Sequence, residues 1–366
     1  MSAETSHGGS DPKEHHFVPR LYLRAFSENK KQVRLYNFAK GRYVPDAPIK
    51  SQCSRRKFYA FAPGLEQELA RLEGAWAQAI RSVLDRGTPP ERFTPEWDFL
   101  IEYVAYQRAR TTRAADGVEK LADNLIKAQL REHPAFKGTD FDKMKVVNKN
   151  AVAFTLQLVH LFCAYAQDLG MHLFLNESHT EFLTSDDPVV AHNQYCEGIN
   201  KGCLGWNCAG LQLFLPLSPN ATLLLYDTSV YKVEGSRSGK LATSLTASDH
   251  VEQINSLQAL NAKENIYFMS EPSQSLRKFI ATMGPKRPNR RAMCEESAPN
   301  RLPSGEIRKT IHTYEAMLPV RLALPQISIR RRARRVPLPQ RANLFRHRSK
   351  EEAWGYRKPG WLPPKV

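Results

Sequence analysis

The sequence predicts an α+β fold with an N-terminal β-hairpin, central helices, and then a mostly antiparallel sheet with a C-terminal helix. Apolar residues recur at helical spacing between residues 65 and 169, whereas short runs rich in β-forming residues stand before and after that block. Because helical and strand segments are grouped and do not alternate as βαβ units, the pattern favours separate helical and sheet regions.

The first predicted element is a hairpin at residues 32–45, QVRLYNFAKGRYVP. Two runs rich in Val, Tyr and Phe flank a turn in which Gly41 is free to take a positive φ. Helices follow at residues 65–86, 94–110, 116–132 and 150–169. Thr94 followed by Pro95 has the pattern of an N-cap with proline at the first helical position.

Strand signals return after residue 170. The segments MHLFLNE, TEFLTSDDPVVA, LQLFLPLS and ATLLLYD are short, β-rich and interrupted by turn residues. Residues 248–262 have helical periodicity, and ENIYFMS predicts one more strand. We therefore expect a single α+β domain over residues 14–284, after a polar, disordered segment at 1–13.

Most of the net charge of +16 lies in the C-terminal segment. Residues 285–366 contain 20 Lys and Arg against 6 Asp and Glu, which leaves residues 1–284 nearly neutral. This segment is predicted to be a basic, Arg/Pro-rich and mostly disordered tail. Its run at 329–348 holds eight Arg and no acidic residue, which predicts nonspecific binding of nucleic acid through counterion release.

The sequence has no run close to the roughly 18 apolar residues that cross a bilayer. The N-terminus also lacks the apolar middle of a secretion signal. We expect a cytoplasmic protein that does not contact the membrane, and the sequence predicts no oligomeric state. His192, Cys196, Cys203 and Cys208 are zinc-ligand types, but without a paired C-x-x-C their spacing favours free cysteines.

The stretch EHHFVPRLYLRAF at residues 14–26 offers His16 for proton transfer and Arg20 for binding an anion. A local metal-nuclease motif would need a second His or Asn on a helix soon afterwards, but the next histidine is His133. The two residues therefore either act with residues far along the chain or hydrogen-bond the backbone at the start of a strand.

Two further stretches carry candidate site residues. In EYVAYQRARTTR, Tyr103, Gln107 and Arg110 fall on one helical face, which is either the wall of a cleft or a solvated surface. Glu73 interrupts an apolar helical repeat and is expected to pair with Arg110 or Arg20. In FLTSDDPVV, Ser185 and Asp186 follow a strand and serve either chemistry or the turn itself.

These stretches, together with Phe58-Tyr59 and LFLPLSPNATLLLY, occur in an order that resembles the domain of unknown function 4238 family over residues 14–272. The resemblance implies a bacterial, soluble protein whose activity is not established. The polar positions it implies are His16, Arg20, Tyr59, Glu73, Gln107, Arg110, Ser185, Asp186 and Pro188.

Two hypotheses for the function follow from these residues. The first is a hydrolase or nuclease-like enzyme for a phosphate-containing substrate such as nucleic acid, with or without a divalent metal as cofactor. Asp186 would be the base or metal ligand, His16 the proton-transfer group and Glu73 a further catalytic carboxylate. Substrate would be bound by Arg20, Tyr103, Gln107, Arg110 and Ser185, with Arg110 as the phosphate clamp. The second is a non-catalytic binding or sensor module, tethered to nucleic acid through the basic tail.

Overall fold

The computed structural model describes residues 14–347, apart from 60, 63, 149, 200, 201, 237, 289–291, 298, 299, 302–304, 306 and 309. Within the described residues, helices and mostly antiparallel sheets form an α+β fold, as the sequence predicts. The segment 1–13, predicted to be disordered, lies outside the described residues.

The helices of the described residues are α1 Arg20–Leu23, α2 Leu65–Arg86, α3 Pro95–Ala109, α4 Thr112–Arg131, α5 Ala151–Gln157, α6 Val159–Ala166, α7 Ser248–Asn261, α8 Gln274–Met283, α9 Arg331–Arg334 and α10 Leu338–Arg341. The strands are β1 Glu14–His16, β2 Gln32–Asn37, β3 Arg42–Pro48, β4 Ser54–Arg56, β5 Gly170–Asn176, β6 Thr184–Ser185, β7 Val190–His192, β8 Gln212–Ser218, β9 Ala221–Tyr226, β10 Tyr231–Val233, β11 Ala242–Leu245, β12 Asn265–Phe268, β13 Ala292–Glu296, β14 Asn300–Arg301, β15 Ile307–Arg308, β16 Ile311–Glu315 and β17 Ile327–Ile329.

The largest sheet has five strands in the order β11-β5-β9-β8-β7, and all its pairs are antiparallel except β11 with β5. Both faces of this sheet are covered. Leu223 and Leu225 of β9 lie in one hydrophobic core, whereas Leu224 between them lies in a second. Burial on both faces explains why the central strands are almost continuously apolar.

A second sheet has the order β3-β2-β12-β6. The predicted hairpin is confirmed as the antiparallel pair β2–β3, and Gly41 in its turn has a φ of 60°. On its other edge β2 pairs with β12, which joins the start of the domain to residues 265–268. Strand β6 pairs with β12 in turn, so this sheet fixes Ser185 relative to Ile266.

The helical block follows the predicted order. The oxygen of Thr94 accepts a hydrogen bond from the amide of Trp97 and caps α3, as the sequence predicts. Helix α4 starts earlier than predicted, because Thr111 caps it through the amide of Ala114. The helix predicted at 150–169 is divided into α5 and α6 at Leu158, where the backbone departs from ideal helix geometry.

The C-terminal segment differs from the predicted disordered tail, because described residues beyond 284 pack on the domain. Strand β17 pairs with β10, and the segment contributes buried Leu318, Leu322 and Leu324 to the second core. Arg346 forms an ion pair with Asp168, and its side chain is 2% exposed. The folded unit therefore extends past residue 284. The sequence pattern did not reveal this, because the buried leucines are scattered between prolines and show no regular period.

Candidate active site

The two histidines of the N-terminal stretch lie on β1, which pairs antiparallel with β4. Neighbouring side chains of a strand point to opposite sides. His15 is buried, stacks on the ring of Tyr59 and accepts a hydrogen bond at Nδ1 from the Tyr59 amide (2.7 Å). His16 is half-buried, and its Nε2 donates to the carbonyl oxygen of Lys50 (3.0 Å). In the neutral imidazole this bond leaves Nδ1 of His16 as the proton acceptor.

His16 borders a cavity of about 200 Å³ between β1, α1 and the start of α2. We call it the histidine–arginine cavity. Its polar lining is His16, Arg20, Arg24, Glu66 and Glu73, and its apolar lining is Leu21, Leu69 and Ala70. One imidazole, two guanidinium groups and two carboxylates thus share one small space.

Arg20 and Arg24 are exposed, and their guanidinium groups make no hydrogen bond or ion pair with any described residue. They lie four residues apart, about one helical turn, on α1 and the 3₁₀ turn that continues it. Arginines on protein surfaces usually find a carboxylate when one is near, and a free pair beside a cavity is suited to an anionic ligand.

Glu73 is held in the cavity wall by Arg110. Of the two arginines that the sequence offers as its partner, Arg110 forms the pair, with Nη1 2.8 Å from Oε1 of Glu73. The Arg110 side chain is 0% exposed and also donates to Oε1 of Gln107. Gln107 in turn donates from Nε2 to the carbonyl oxygen of Phe17 at 3.0 Å, and Phe17 follows His16 in the sequence. This chain of bonds fixes Glu73 relative to the histidine stretch.

Burial shifts the pKa values of two groups of the cavity in opposite directions. Burial lowers the pKa of His16, and Arg20 lowers it further against the opposing effect of the Lys50 carbonyl. Burial raises the pKa of Glu66, partly offset by His15. A histidine that stays neutral can accept a proton, and a carboxyl group that stays protonated can donate one.

Arg110 itself cannot clamp a ligand. Burial would lower its pKa, but the nearby Glu73 carboxylate holds that pKa above its ordinary value, so the group is a fixed internal cation. Tyr103 is also fully buried and packs against Tyr22 and Trp76, with ring centroids 6.3 and 5.7 Å away. Arg110, Tyr103 and Gln107, predicted to bind substrate directly, are all fully buried and lie behind the cavity wall.

Asp186 and Ser185 lie elsewhere. Both oxygens of the buried Asp186 carboxylate accept hydrogen bonds from backbone amides, at 2.7 Å from Lys263 and from Glu264 and 3.2 Å from Asn265. Ser185 donates to Oε1 of Gln258 (2.8 Å). Neither residue lines the histidine–arginine cavity. The structure thus does not bring them together with His16, and the Asp186 carboxylate holds the turn between α7 and β12.

Sequence reasoning missed Glu66 and Arg24. A signal for each was present, because Glu66 lies seven residues before Glu73 and Arg24 lies four residues after Arg20. Both spacings put the paired residues on one helical face. Apolar residues in the same stretches predict the core-facing side of each helix, but they do not indicate what the polar side faces.

The cysteine stretch does not gather its side chains into a metal site. His192 contacts Oε1 of Glu197 through Nε2 (3.0 Å), and Sγ of Cys208 donates to the carbonyl oxygen of Gly202 (3.1 Å). Among the described residues, no group of three or more His, Cys, Asp or Glu side chains has the geometry to hold a metal ion.

Fold and cavity together define an α+β protein with a small polar cavity lined by an imidazole, two guanidinium groups and two carboxyl groups. The chain belongs to the family described as protein of unknown function (DUF4238), whose model matches residues 14–272. No curated protein and no solved structure shows significant similarity to it. In the part of the chain that the structure describes, no helix is long and apolar enough to cross a membrane.

Proposed function

We propose that this protein is a hydrolase-like enzyme that acts on a phosphate-containing substrate in the histidine–arginine cavity. The observation that carries the proposal is the free pair of Arg20 and Arg24 beside His16, Glu66 and Glu73. Two guanidinium groups bind phosphate oxygens and stabilise the negative charge that grows during phosphoryl transfer.

The proton transfers are assigned from the pKa directions. His16, which is neutral because its pKa is lowered, accepts a proton from the attacking water. Glu66, whose pKa is raised, protonates the leaving oxygen. Glu73, which accepts a hydrogen bond from Arg110, orients the water, a role that its position in the cavity wall permits. A cavity of about 200 Å³ accommodates a phosphate group with part of its leaving group, which favours a terminal phosphate as the substrate.

The test is hydrolysis of p-nitrophenyl phosphate and of a 5′-phosphorylated oligonucleotide by the full chain, with and without Mg²⁺ or Mn²⁺. His16→Ala should lower the rate by about 100-fold or more, as loss of a general base does. The exposed His179→Ala is the matched control and should leave the rate unchanged. If no preparation shows activity that His16→Ala removes, the proposal is wrong.

The alternative is a non-catalytic binding module that uses the basic segment at 329–348 to hold nucleic acid. The structure divides the arginines of this segment into two groups. Arg330, Arg341 and Arg346 donate hydrogen bonds to backbone carbonyls of the domain. The others that the structure describes are exposed and form what we call the α9 arginine cluster, Arg331, Arg332, Arg334 and Arg335. Four exposed guanidinium groups on one short segment favour binding to a phosphate backbone.

The cellular location that fits both proposals is the cytoplasm. The sequence has six cysteines in 366 residues, without the dense spacing of a disulfide framework, and this composition fits a reducing compartment.

A further inference from the structure

A second and larger cavity, of about 740 Å³, lies between α4 and the strands β13 and β16. Its floor is the first half of α4 with the end of α3, and its side wall contains Phe162 and Trp206. Residues 292–294 and 313–315 cover it. A cavity of this volume, with aromatic and aliphatic walls and a few polar groups, has the size of a typical site for a small organic molecule.

Most carboxylates around this cavity already have cationic partners within the protein. Asp116 pairs with Lys263 (2.5 Å), Asp123 with Lys127 (2.9 Å) and Asp187 with Arg113 (3.0 Å). These acidic groups are neutralised and do not repel an incoming anion. The ion pair between Arg113 and Asp187 also joins the QRARTTR and TSDDP stretches at this cavity. Neither of these two residues is among the site residues predicted from the sequence.

Arg108 is the cation whose partner comes from the covering strands. Its Nη2 donates to Oε2 of Glu315, and its guanidinium carbon lies 5.9 Å from the centre of the Trp206 ring. The two side chains are 16% and 27% exposed, so water reaches the pair. Arg108 lies inside the region matched by the family model, whereas Glu315 lies beyond it at the end of β16. The extension thus brings its own carboxylate onto an arginine of the family domain.

The aromatic rings next to this ion pair offer a surface that suits an apolar group of a ligand. Phe162 and Trp206 are stacked with centroids 5.0 Å apart and an angle of 10° between their planes, and both are only partly buried. A ligand that places a carboxylate on Arg108 would lay its hydrophobic part along these rings and along Met293 and Val118.

We propose that this cavity binds a small organic carboxylate with an aromatic or apolar body, and that Glu315 occupies the place of the ligand carboxylate. The inference concerns a different cavity from the proposed hydrolase site, and none of its measurements depends on catalytic activity. Binding requires the exchange of one carboxylate for another on Arg108, so the strength of the Arg108–Glu315 pair sets the affinity.

The experiment is calorimetric titration of the full chain with 2-naphthoate. The comparison ligands are 2-naphthamide, which lacks the charge, and acetate, which has the carboxylate but no aromatic group. Glu315→Gln frees Arg108 and should tighten 2-naphthoate binding by about fivefold, the value of a partly exposed ion pair. Glu91→Gln, an exposed glutamate that does not line this cavity, is the matched control and should bind as the wild type does. The Arg108→Gln variant should bind 2-naphthoate as weakly as it binds 2-naphthamide.

Three results would overturn the proposal. Glu315→Gln could bind 2-naphthoate no more tightly than Glu91→Gln does. The amide could bind as well as the carboxylate, or acetate could bind as well as 2-naphthoate. Should Arg108→Gln fail to fold, the comparison of carboxylate with amide on the wild type and on Glu315→Gln decides the question.

Discussion

The ion pair between Arg110 and Glu73 gives the most direct test of how the histidine–arginine cavity is held. Glu73→Gln removes the countercharge of a guanidinium group that is 0% exposed. Loss of one partner from a buried pair costs about 3–5 kcal/mol, because the other charge is left without compensation. Glu73 itself is 20% exposed, and Gln107 still accepts from Nε and Nη2 of Arg110. Both facts reduce the cost, and we expect about 2–3 kcal/mol.

The assay is urea denaturation followed by tryptophan fluorescence, since Trp76 lies 5.7 Å from the Arg110 guanidinium and reports on this region. Glu68→Gln is the control on the same helix. Glu68 forms an ion pair with Arg71 at 2.6 Å, but both side chains are exposed, so no measurable loss is expected. The double variant Glu73→Gln with Arg110→Met should recover part of the lost stability, because no buried charge remains. A Glu73→Gln variant within about 0.5 kcal/mol of the wild type would refute the reasoning.

Three further outcomes are expected. Activity should follow a bell-shaped pH profile: its acid limb reports His16, whose pKa is lowered from 6.5, and its alkaline limb reports Glu66, whose pKa is raised from 4.5. A rate measurement with an acid limb centred above pH 6.5, or an alkaline limb centred below pH 4.5, contradicts this assignment. Replacing the α9 arginine cluster with alanine should reduce the salt dependence of nucleic-acid binding, measured by anisotropy, by a slope of up to about 3.6; an unchanged slope excludes this surface. Asp168→Asn leaves the buried Arg346 without its carboxylate and should lower the melting temperature and expose the C-terminal segment to trypsin; protection equal to that of the wild type would show that the ion pair does not hold the segment.

The parts of the fold that the sequence predicts are those fixed by local chemistry. The hairpin turn needs Gly41 at positive φ, and the start of α3 needs the Thr94 cap with Pro95 behind it. Both signals lie within a few residues of the structure they determine. Pairing of β1 with β4, or of β2 with β12, depends on which distant segments bury the same apolar surface, and no short stretch encodes that choice.

The same limit explains why the sequence could not place Ser185 and Asp186 relative to His16. The TSDDP stretch has the composition of either a catalytic strand end or a turn, and the three backbone amides that occupy Asp186 come from residues 263–265. Only the packing of α7 against the sheet brings those amides there. By contrast, the pairing of Glu73 with Arg110 could be anticipated, because a carboxylate on the edge of an apolar helical face requires a cation once it is buried.

Burial decides which arginine of this family domain can meet a substrate. Arg110 looks like the anion clamp in the sequence, but its side chain has no exposed surface and its donors are already engaged by Glu73 and Gln107. Arg20 and Arg24 are exposed and have no partner among the described residues. Under the proposed function, a substrate gains charge-assisted hydrogen bonds only from groups that can reach it, so we expect the binding energy to come from the N-terminal pair. The interior arginine then serves to hold Glu73 in place, which is why its substitution should affect stability before it affects affinity.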